Sequence, residues 1–248
     1  MVLQARRGGS SSDSPIEIAS PTPIEDPFTS KEIRIVHQNV NTISVLCGFN
    51  QVGVILEKVQ KDKIDVFTTN EVNVNLSDSK VRSEYFKAYR SKHRQCLTQA
   101  AWAPTTIAAN KYRSGGNQVT LFGAFTDHVK NKAFDKVAGS WSLITVETKK
   151  GPLSIIATYR VSQSSLKQAG PKTIYAQEYS ALQANGTAAP KPRKRCLKEL
   201  ESVINQQVFK GHMVMLNIDA NESVHENQDL KKFCNDLQLT NLVQKFSP

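Results

Sequence analysis

Four short apolar runs in this sequence each end in a polar cluster, and that arrangement constrains the fold more than any other feature. Ile33 and Ile35 open a run that ends in His37-Gln38-Asn39-Val40-Asn41, and Ile64-Asp65-Val66-Phe67 leads to Glu71. Ile155-Ile156 leads to Tyr159-Arg160, and Met213-Val214-Met215-Leu216 runs through Ile218 to Asp219 and Asn221. Short apolar runs bounded by polar or turn residues predict strands. Strands laid side by side bring such ends to one rim, where α/β sheets place their sites. Two carboxylates, amides, a phenol and a guanidinium would then surround a single cleft. Hard oxygen donors hold Mg²⁺ while it keeps several waters, and a second carboxylate can orient an attacking water, so the set suits phosphodiester hydrolysis. Each cluster alone has a plainer reading. Asn39 and Asn41 can cap a turn, and Tyr159-Arg160 can be a half-buried aromatic beside a surface charge.

Between these runs, Val52, Ile55, Leu56 and Val59 recur at helical spacing, which makes the opening a βαβ unit. Residues 118–125, 141–147 and 153–159 read as three successive strands, residues 173–184 and 193–208 as helices, and 228–237 as a last helix. Strands and helices that mix without strict alternation predict two sheets sandwiched between helical layers. Residues 1–30 are crowded with Ser, Pro, Gly and acidic side chains and have no apolar periodicity. They are expected to be a disordered lead-in, leaving 31–248 as one domain. With 39% hydrophobic residues, a domain of that length can bury a substantial core.

The net charge is +10; residues 1–30 carry Arg6 and Arg7 against Asp13, Glu17, Glu25 and Asp26, a balance of −2, so the remainder carries +12. A surplus of that size favours polyanions such as nucleic acid, although a basic surface can also serve solubility alone. No apolar run approaches the about 18 residues that span a bilayer, and the first residues lack the apolar stretch of a secretory signal. A soluble intracellular protein, nuclear or cytoplasmic and without a membrane partner, is expected. Cys47, Cys96, Cys196 and Cys234 stand too far apart for a zinc knuckle or redox dithiol and predict free buried thiols.

Two stretches concentrate the positive charge. Lys80, Arg82, Lys87, Arg90, Lys92 and Arg94 interleave with Tyr85, Phe86 and Tyr89, a composition that can hold phosphates and stack bases. On a helix the competing reading makes Phe86 and Tyr89 a core-facing pair and the cations a solvated face. Lys191, Arg193, Lys194, Arg195 and Lys198 form a tighter run that suits phosphate binding, nuclear localisation or an ordinary helix start.

The order of the motifs adds what no single one supplies. Gln38-Asn39-Val40-Asn41, Ile64-Asp65-Val66 leading to Glu71, Gly115-Gly116, Ala157-Thr158-Tyr159-Arg160-Val161 and Ile218-Asp219-Ala220-Asn221-Glu222 resemble, in sequence and spacing, the endonuclease/exonuclease/phosphatase superfamily, the DNase I-like fold. Within it, Ser140-Trp141-Ser142, Tyr159-Arg160-Val161, the segment Gly170-Pro171 to Gln177, and Pro192-Arg193 look like endonuclease domains of eukaryotic retroelements. The resemblance covers about residues 33–245 and implies a four-layer α/β/β/α sandwich. By position, Glu71 looks like the family's main metal-binding glutamate and Asn41 like a weaker second metal contact, often an aspartate in relatives. Asn39 resembles the asparagine that organises the site's hydrogen bonds, while Asp219 and Asn221 resemble the pair that positions the attacking water and the phosphate. Tyr159 resembles the phosphate-facing residue after its strand, with Arg160 adding a charge-assisted contact.

Two departures qualify these implications. Ile218 stands where relatives carry the Gly of Gly-Asp-x-Asn, and a β-branched side chain there would be expected to crowd the metal cleft or force a different backbone. Relatives also finish with a late aspartate and an Asp-His pair, whereas this sequence ends at Phe246-Ser247-Pro248. The resemblance thus implies a domain lacking its C-terminal strands, one of its sheets left with an unpaired edge, and weak or absent activity. Neither His212 nor His225 matches the missing histidine. The function implied is Mg²⁺-dependent (or Mn²⁺-dependent) hydrolysis of phosphodiesters, with DNA nicking foremost. The alternatives are a non-catalytic nucleic-acid-binding remnant and a phosphatase or phosphodiesterase acting on small substrates.

Overall fold

Two sheets share one apolar interior, and helices cover their outer faces. The computed structural model describes residues 2–5, 33–44, 49–103, 113–163 and 165–242. In chain order the strands are β1 (Val2–Ala5), β2 (Ile35–Asn39), β3 (Val66–Asn70), β4 (Cys96–Ala101), β5 (Asn117–Phe122), β6 (Val129–Phe134), β7 (Trp141–Val146), β8 (Leu153–Tyr159), β9 (Met213–Asp219) and β10 (Thr240–Asn241). The helices are α1 (Asn50–Lys61), α2 (Ser79–Lys92), α3 (Ile174–Ala184), α4 (Pro192–Phe209) and α5 (Gln228–Asp236). One sheet has the order β2-β3-β5-β4 and the other β10-β1-β9-β8-β7-β6.

Period-two alternation builds the layers. Val66, Val119, Leu121, Ile144, Ile155 and Ala157 meet between the sheets. Phe67 and Phe122, on the opposite faces of their strands, pack with Val52, Leu56, Val59, Tyr85 and Tyr89 of α1 and α2. Ile156, Leu216 and Ile218 pack with Leu200 and Ile204 of α4 and Phe233 of α5. Every residue of β3, β5 and β8 is buried, as strands covered on both faces require. The architecture is the expected α/β/β/α sandwich.

Helix starts are fixed locally. Asp78 accepts from the backbone N–H groups of Lys80 and Val81, Thr173 from that of Ala176, and Asn227 from that of Leu230. Pro192 occupies the first turn of α4, where its missing N–H has no intrahelical role. Between β6 and β7, Gly139 has φ 73, and a Cβ there would lie 2.1 Å from the Trp102 carbonyl carbon, so only glycine lets the two backbones touch.

Several expectations need correction. Val2–Ala5 form a strand rather than part of a disordered lead-in, with Val2 opposite Asn217 and Ala5 opposite Val214; the rest of 6–30 lies outside the described residues. The outer edge of β9 is thereby paired, where an unpaired edge was anticipated. The strand expected over 118–125 stops at Phe122, and a 3-10 turn spans Gly123–His128. The core stripe of α2 is Val81, Tyr85 and Tyr89 at i, i+4 and i+8, with Phe86 only half-buried. Cys96, Cys196 and Cys234 are free thiols, Cys96 half-buried, while Cys47 lies outside the described residues. Among the described residues no helix is long and apolar enough to cross a membrane.

Candidate active site

β2 and β3 are parallel neighbours in one sheet, and β8 and β9 are parallel neighbours in the other. Their C-terminal ends face each other across the sandwich. The Asn39 amide at the end of β2 donates to Asp219 Oδ2 at the end of β9, 2.8 Å away. One register position over, Asn70 of β3 donates to the Thr158 carbonyl of β8 at 3.0 Å. Asp219 is held from a second side, because the Asn221 backbone N–H donates to its Oδ1 at 3.1 Å. Asn221 in turn donates through its amide to the Arg160 carbonyl at 2.7 Å, and the Arg160 N–H donates to the Asp219 carbonyl at 2.9 Å. The two strand ends of that sheet are thus stitched into one turn.

Tyr159 joins the remaining pieces. Its hydroxyl lies close to the Glu71 carboxylate and the Asn221 amide, and it titrates well above the usual phenol range because burial and then the Glu71 charge disfavour a phenolate. Asn39, Asp219 and Asn221 are therefore bonded together, with Tyr159 and Glu71 beside them. Asn41 borders it, its backbone N–H donating to Asn39 Oδ1 at 2.9 Å. The loop geometry is unusual: Asn41, Glu71 and Asn221 have φ of 42, 54 and 52, all left-handed. Asparagine tolerates that region; a glutamate there is held by its surroundings, with the Thr42 N–H donating to the Glu71 carbonyl at 2.8 Å.

No family model matches the chain, and no curated protein matches it. Solved structures do. The human Nocturnin catalytic domain with bound sulfate aligns at TM-score 0.52 and 14% identity, over 87% of this chain and 73% of that one. Beta toxin from Staphylococcus aureus aligns at 0.51 and 12%, over 85% and 73%. Sphingomyelinase C from Streptomyces griseocarneus aligns at 0.52 and 10%, over 86% and 72%. The chain has the DNase I-like endonuclease/exonuclease/phosphatase fold.

On this DNase I-like frame, side chains that the sequence reading left out support the rim. Asn39, Asn70 and Asn117 occupy matched register positions across β2, β3 and β5. Asn117 donates to the Gly139 carbonyl at 3.1 Å. His37, two residues before Asn39, bonds Thr68 Oγ1 at 3.0 Å and lies 3.4 Å from the Asn70 amide. Burial pushes its pKa down to about 4, against the opposing pull of Asp219. The signal for Asn70 was its place directly before Glu71; Asn117 stands alone in the sequence and gave none.

Two expectations about β8 and β9 change. Ile218 does not crowd the cleft: it is 1% exposed and faces α4 and α5, on the opposite side of β9 from Asp219. Arg160 is likewise on the far side of β8 from Tyr159. It is 2% exposed and pairs with Glu222, which Arg193 also engages. Arg160 therefore cannot offer its guanidinium to a phosphate over Tyr159; it anchors the turn that carries Asn221.

The basic residues divide in the same way. Arg195 makes a two-pronged pair with Asp135, at 2.8 and 3.0 Å. Burial alone would raise the Asp135 pKa, but the Arg195 bonds and charge, with the N–H groups of Ser140 and Ala138, hold it down at about 2. Asp135 also accepts from Ser140 Oγ at 2.9 Å, and the Ser140 carbonyl accepts from Thr158 Oγ1 at 2.7 Å and the Tyr159 N–H at 3.3 Å. Arg195 is thus a strut behind Tyr159. Arg82 donates to the Leu76 carbonyl at 2.7 Å and lies over the Trp102 ring. Arg82, Arg193 and Arg195 are committed to the fold rather than offered to a ligand. Lys80, Lys87, Arg90, Lys92, Arg94 and Lys194 are exposed. Tyr85 and Tyr89 do not stack bases, because both are buried and bonded to Gln118, at 2.9 and 2.7 Å. At the far end of the sheet His212 bonds Ser154 and Gln207, each at 3.0 Å, remote from the rim.

The donor set fits a hydrated hard cation. Among the described residues no group of three or more His, Cys, Asp or Glu side chains could form a metal cage. The rim instead offers Glu71 and Asp219 with the amides of Asn39, Asn41 and Asn221. One or two carboxylates plus water is how Mg²⁺ is usually held.

Proposed function

We propose that this rim hydrolyses phosphodiesters with the help of a divalent cation, Mg²⁺ or Mn²⁺, and that the substrate is nucleic acid, with DNA nicking as the reaction. The observation that carries the reading is the bond from Asn39 to Asp219 that joins the two sheets at the rim, with Glu71, Tyr159 and Asn221 gathered beside it. Four strand ends from two sheets spend their polar side chains on one another at a single open rim.

Glu71, with Asn41 beside it, would hold the cation, which when bound screens phosphate charge and polarises the bond to be broken. Asp219 is the group placed to take a proton from the attacking water. Both its oxygens accept a bond already, from Asn39 and from the Asn221 N–H, so its orientation is set before substrate arrives. Tyr159 is neutral throughout the ordinary pH range, so it presents an O–H rather than a charge that would repel phosphate. Asn221 and Asn39 fix these two groups relative to each other, which is the preorganisation that charge development on a phosphate rewards.

Nucleic acid is favoured over a small phosphorylated substrate by the +12 balance outside residues 1–30. A retroelement-type endonuclease is the specific reading that the Ser140-Trp141-Ser142 and Tyr159-Arg160-Val161 resemblance supports. One protein of this fold, the Nocturnin catalytic domain, carries a bound sulfate, a tetrahedral anion of the same class as phosphate. The test is hydrolysis of bis(4-nitrophenyl) phosphate in Mg²⁺ and in Mn²⁺ by the parent chain and by Asp219→Asn. The parent should release nitrophenolate only with added metal, and Asp219→Asn should not; equal rates in both would remove Asp219 from the chemistry.

A further inference from the structure

The basic run at the start of α4 separates into two sets with different surroundings. Arg193 and Arg195 turn onto Glu222 and Asp135. Lys191, Lys194 and Lys198 instead line an open groove of about 510 Å³ together with Ala189 and Ser202. All three lysines are exposed, and none of their ammonium groups has an ion-pair or hydrogen-bond partner among the described residues. Glu199 is the groove's acid, and Arg195 already engages it at 3.3 Å. The lysine charges are therefore left over.

Their spacing has a counterpart in a nucleic-acid backbone. Residues three and seven apart share one face of a helix, and seven residues rise about 10 Å. Phosphates recur about every 3.4 Å along a duplex axis, so three ammonium groups spread over that rise can face several of them. The helix that carries the lysines also backs the rim. Its Arg193 holds Glu222 beside Asn221, and its Arg195 holds the Asp135 turn behind Tyr159. The groove thus lies on a helix that packs behind the rim.

We propose that the Lys191–Lys194–Lys198 groove seats the phosphate backbone of duplex DNA outside the cleft, so that a polymer touches both places and a small diester only the rim. The choice of DNA as occupant rests on the nuclease reading; the leftover charge does not.

The test uses the whole chain with Lys191, Lys194 and Lys198 all changed to Gln. A second variant changes the exposed Lys58, Lys61 and Lys63 on the opposite helical layer to Gln and matches it in net charge. Binding to a short labelled duplex is followed by fluorescence anisotropy in EDTA across a salt series, and bis(4-nitrophenyl) phosphate hydrolysis is measured in parallel. At about 0.9 per neutralised phosphate, the groove variant should lower the salt slope by about 2.7, and the matched variant by less than 1. Small-diester hydrolysis should be unchanged in both. Changing the three lysines to Arg should restore the slope, which separates lost contacts from lost structure. An unchanged slope in the groove variant, or an equal fall in the matched variant, overturns the groove. Absence of small-diester hydrolysis in the parent would instead count against the catalytic reading and leave the binding result standing.

Discussion

Glu71 carries a local conflict between backbone and side chain, since its φ of 54 is one that non-glycine residues avoid. Left-handed backbone costs about 1–2 kcal/mol for such a residue, and the surrounding loop holds it there. Glu71→Gln keeps the shape and the Tyr159 contact while removing the charge. It should leave urea unfolding within about 0.5 kcal/mol of the parent. It should also lower metal-dependent hydrolysis by more than the about 100-fold that loss of an outer-shell partner can cost. A variant that lost stability and activity together would make Glu71 a structural residue. Ile218 gives the converse case. Its departure from the Gly-Asp-x-Asn pattern looks like damage in the sequence, yet the side chain is buried against α4 and α5. Ile218→Ala should therefore cost about 2–5 kcal/mol by opening a cavity, with Mg²⁺ dependence unaltered in the folded fraction. A gain in activity without loss of stability would show that Ile218 does crowd the cleft.

At the scale of elements, α2 is held by a polar tie as well as by packing. Tyr85 and Tyr89, one turn apart, both bond Gln118 of β5, and burial pushes the Tyr89 phenol up to about 12. Gln118→Leu fills the space but leaves the two buried hydroxyls only each other, 3.4 Å apart, and chemical denaturation should report a loss of about 1–3 kcal/mol. A neutral substitution would mean the hydroxyls find other partners. Within α3, Glu178 is buried and its pKa is pushed up to about 8, first by burial and then by the charge of Asp135. The folded chain therefore holds a proton there that the unfolded chain has released. Stability from this group is full below the ordinary carboxylate pKa and falls as pH rises toward about 8. Glu178→Gln stays neutral, so its advantage over the parent in urea midpoint should be larger near pH 8 than near pH 5. Equal differences at both pH values would contradict the burial argument. The same contrast between buried and exposed strands decided what the sequence disclosed. β8 and β9 are strongly apolar, and their bounds were legible to within a residue. β6 reads Val-Lys-Asn-Lys-Ala-Phe and is exposed over its central residues, so its alternation hides behind lysines. Likewise β4 is only half-buried over its first four residues and has little apolar pattern to see.

For the molecule as a whole, the four-layer sandwich was legible because its inner strands are apolar on both faces. Pairing between segments far apart in sequence was not, and β1 beside β9 is the example. Nothing in four N-terminal residues says which edge they will join. The rim was legible in part for a related reason. Residues at the ends of apolar strands announce themselves, whereas Asn117 at the start of β5 and the Asp135–Arg195 strut behind Tyr159 depend on tertiary neighbours. Basic composition was the least reliable guide, because a guanidinium turned inward and a lysine turned outward look alike in a sequence. The central claim is that Glu71 and Asp219, from different sheets, belong to one cation-dependent hydrolytic site. Nicking of supercoiled plasmid measures it most directly, with the parent, Glu71→Gln and Asp219→Asn each assayed across a Mg²⁺ titration and in EDTA. Nicking by the parent should rise with Mg²⁺ and vanish in EDTA, and neither variant should nick at any Mg²⁺ concentration. Nicking that persists in EDTA, or that survives in either variant at the parent's rate, would contradict that claim.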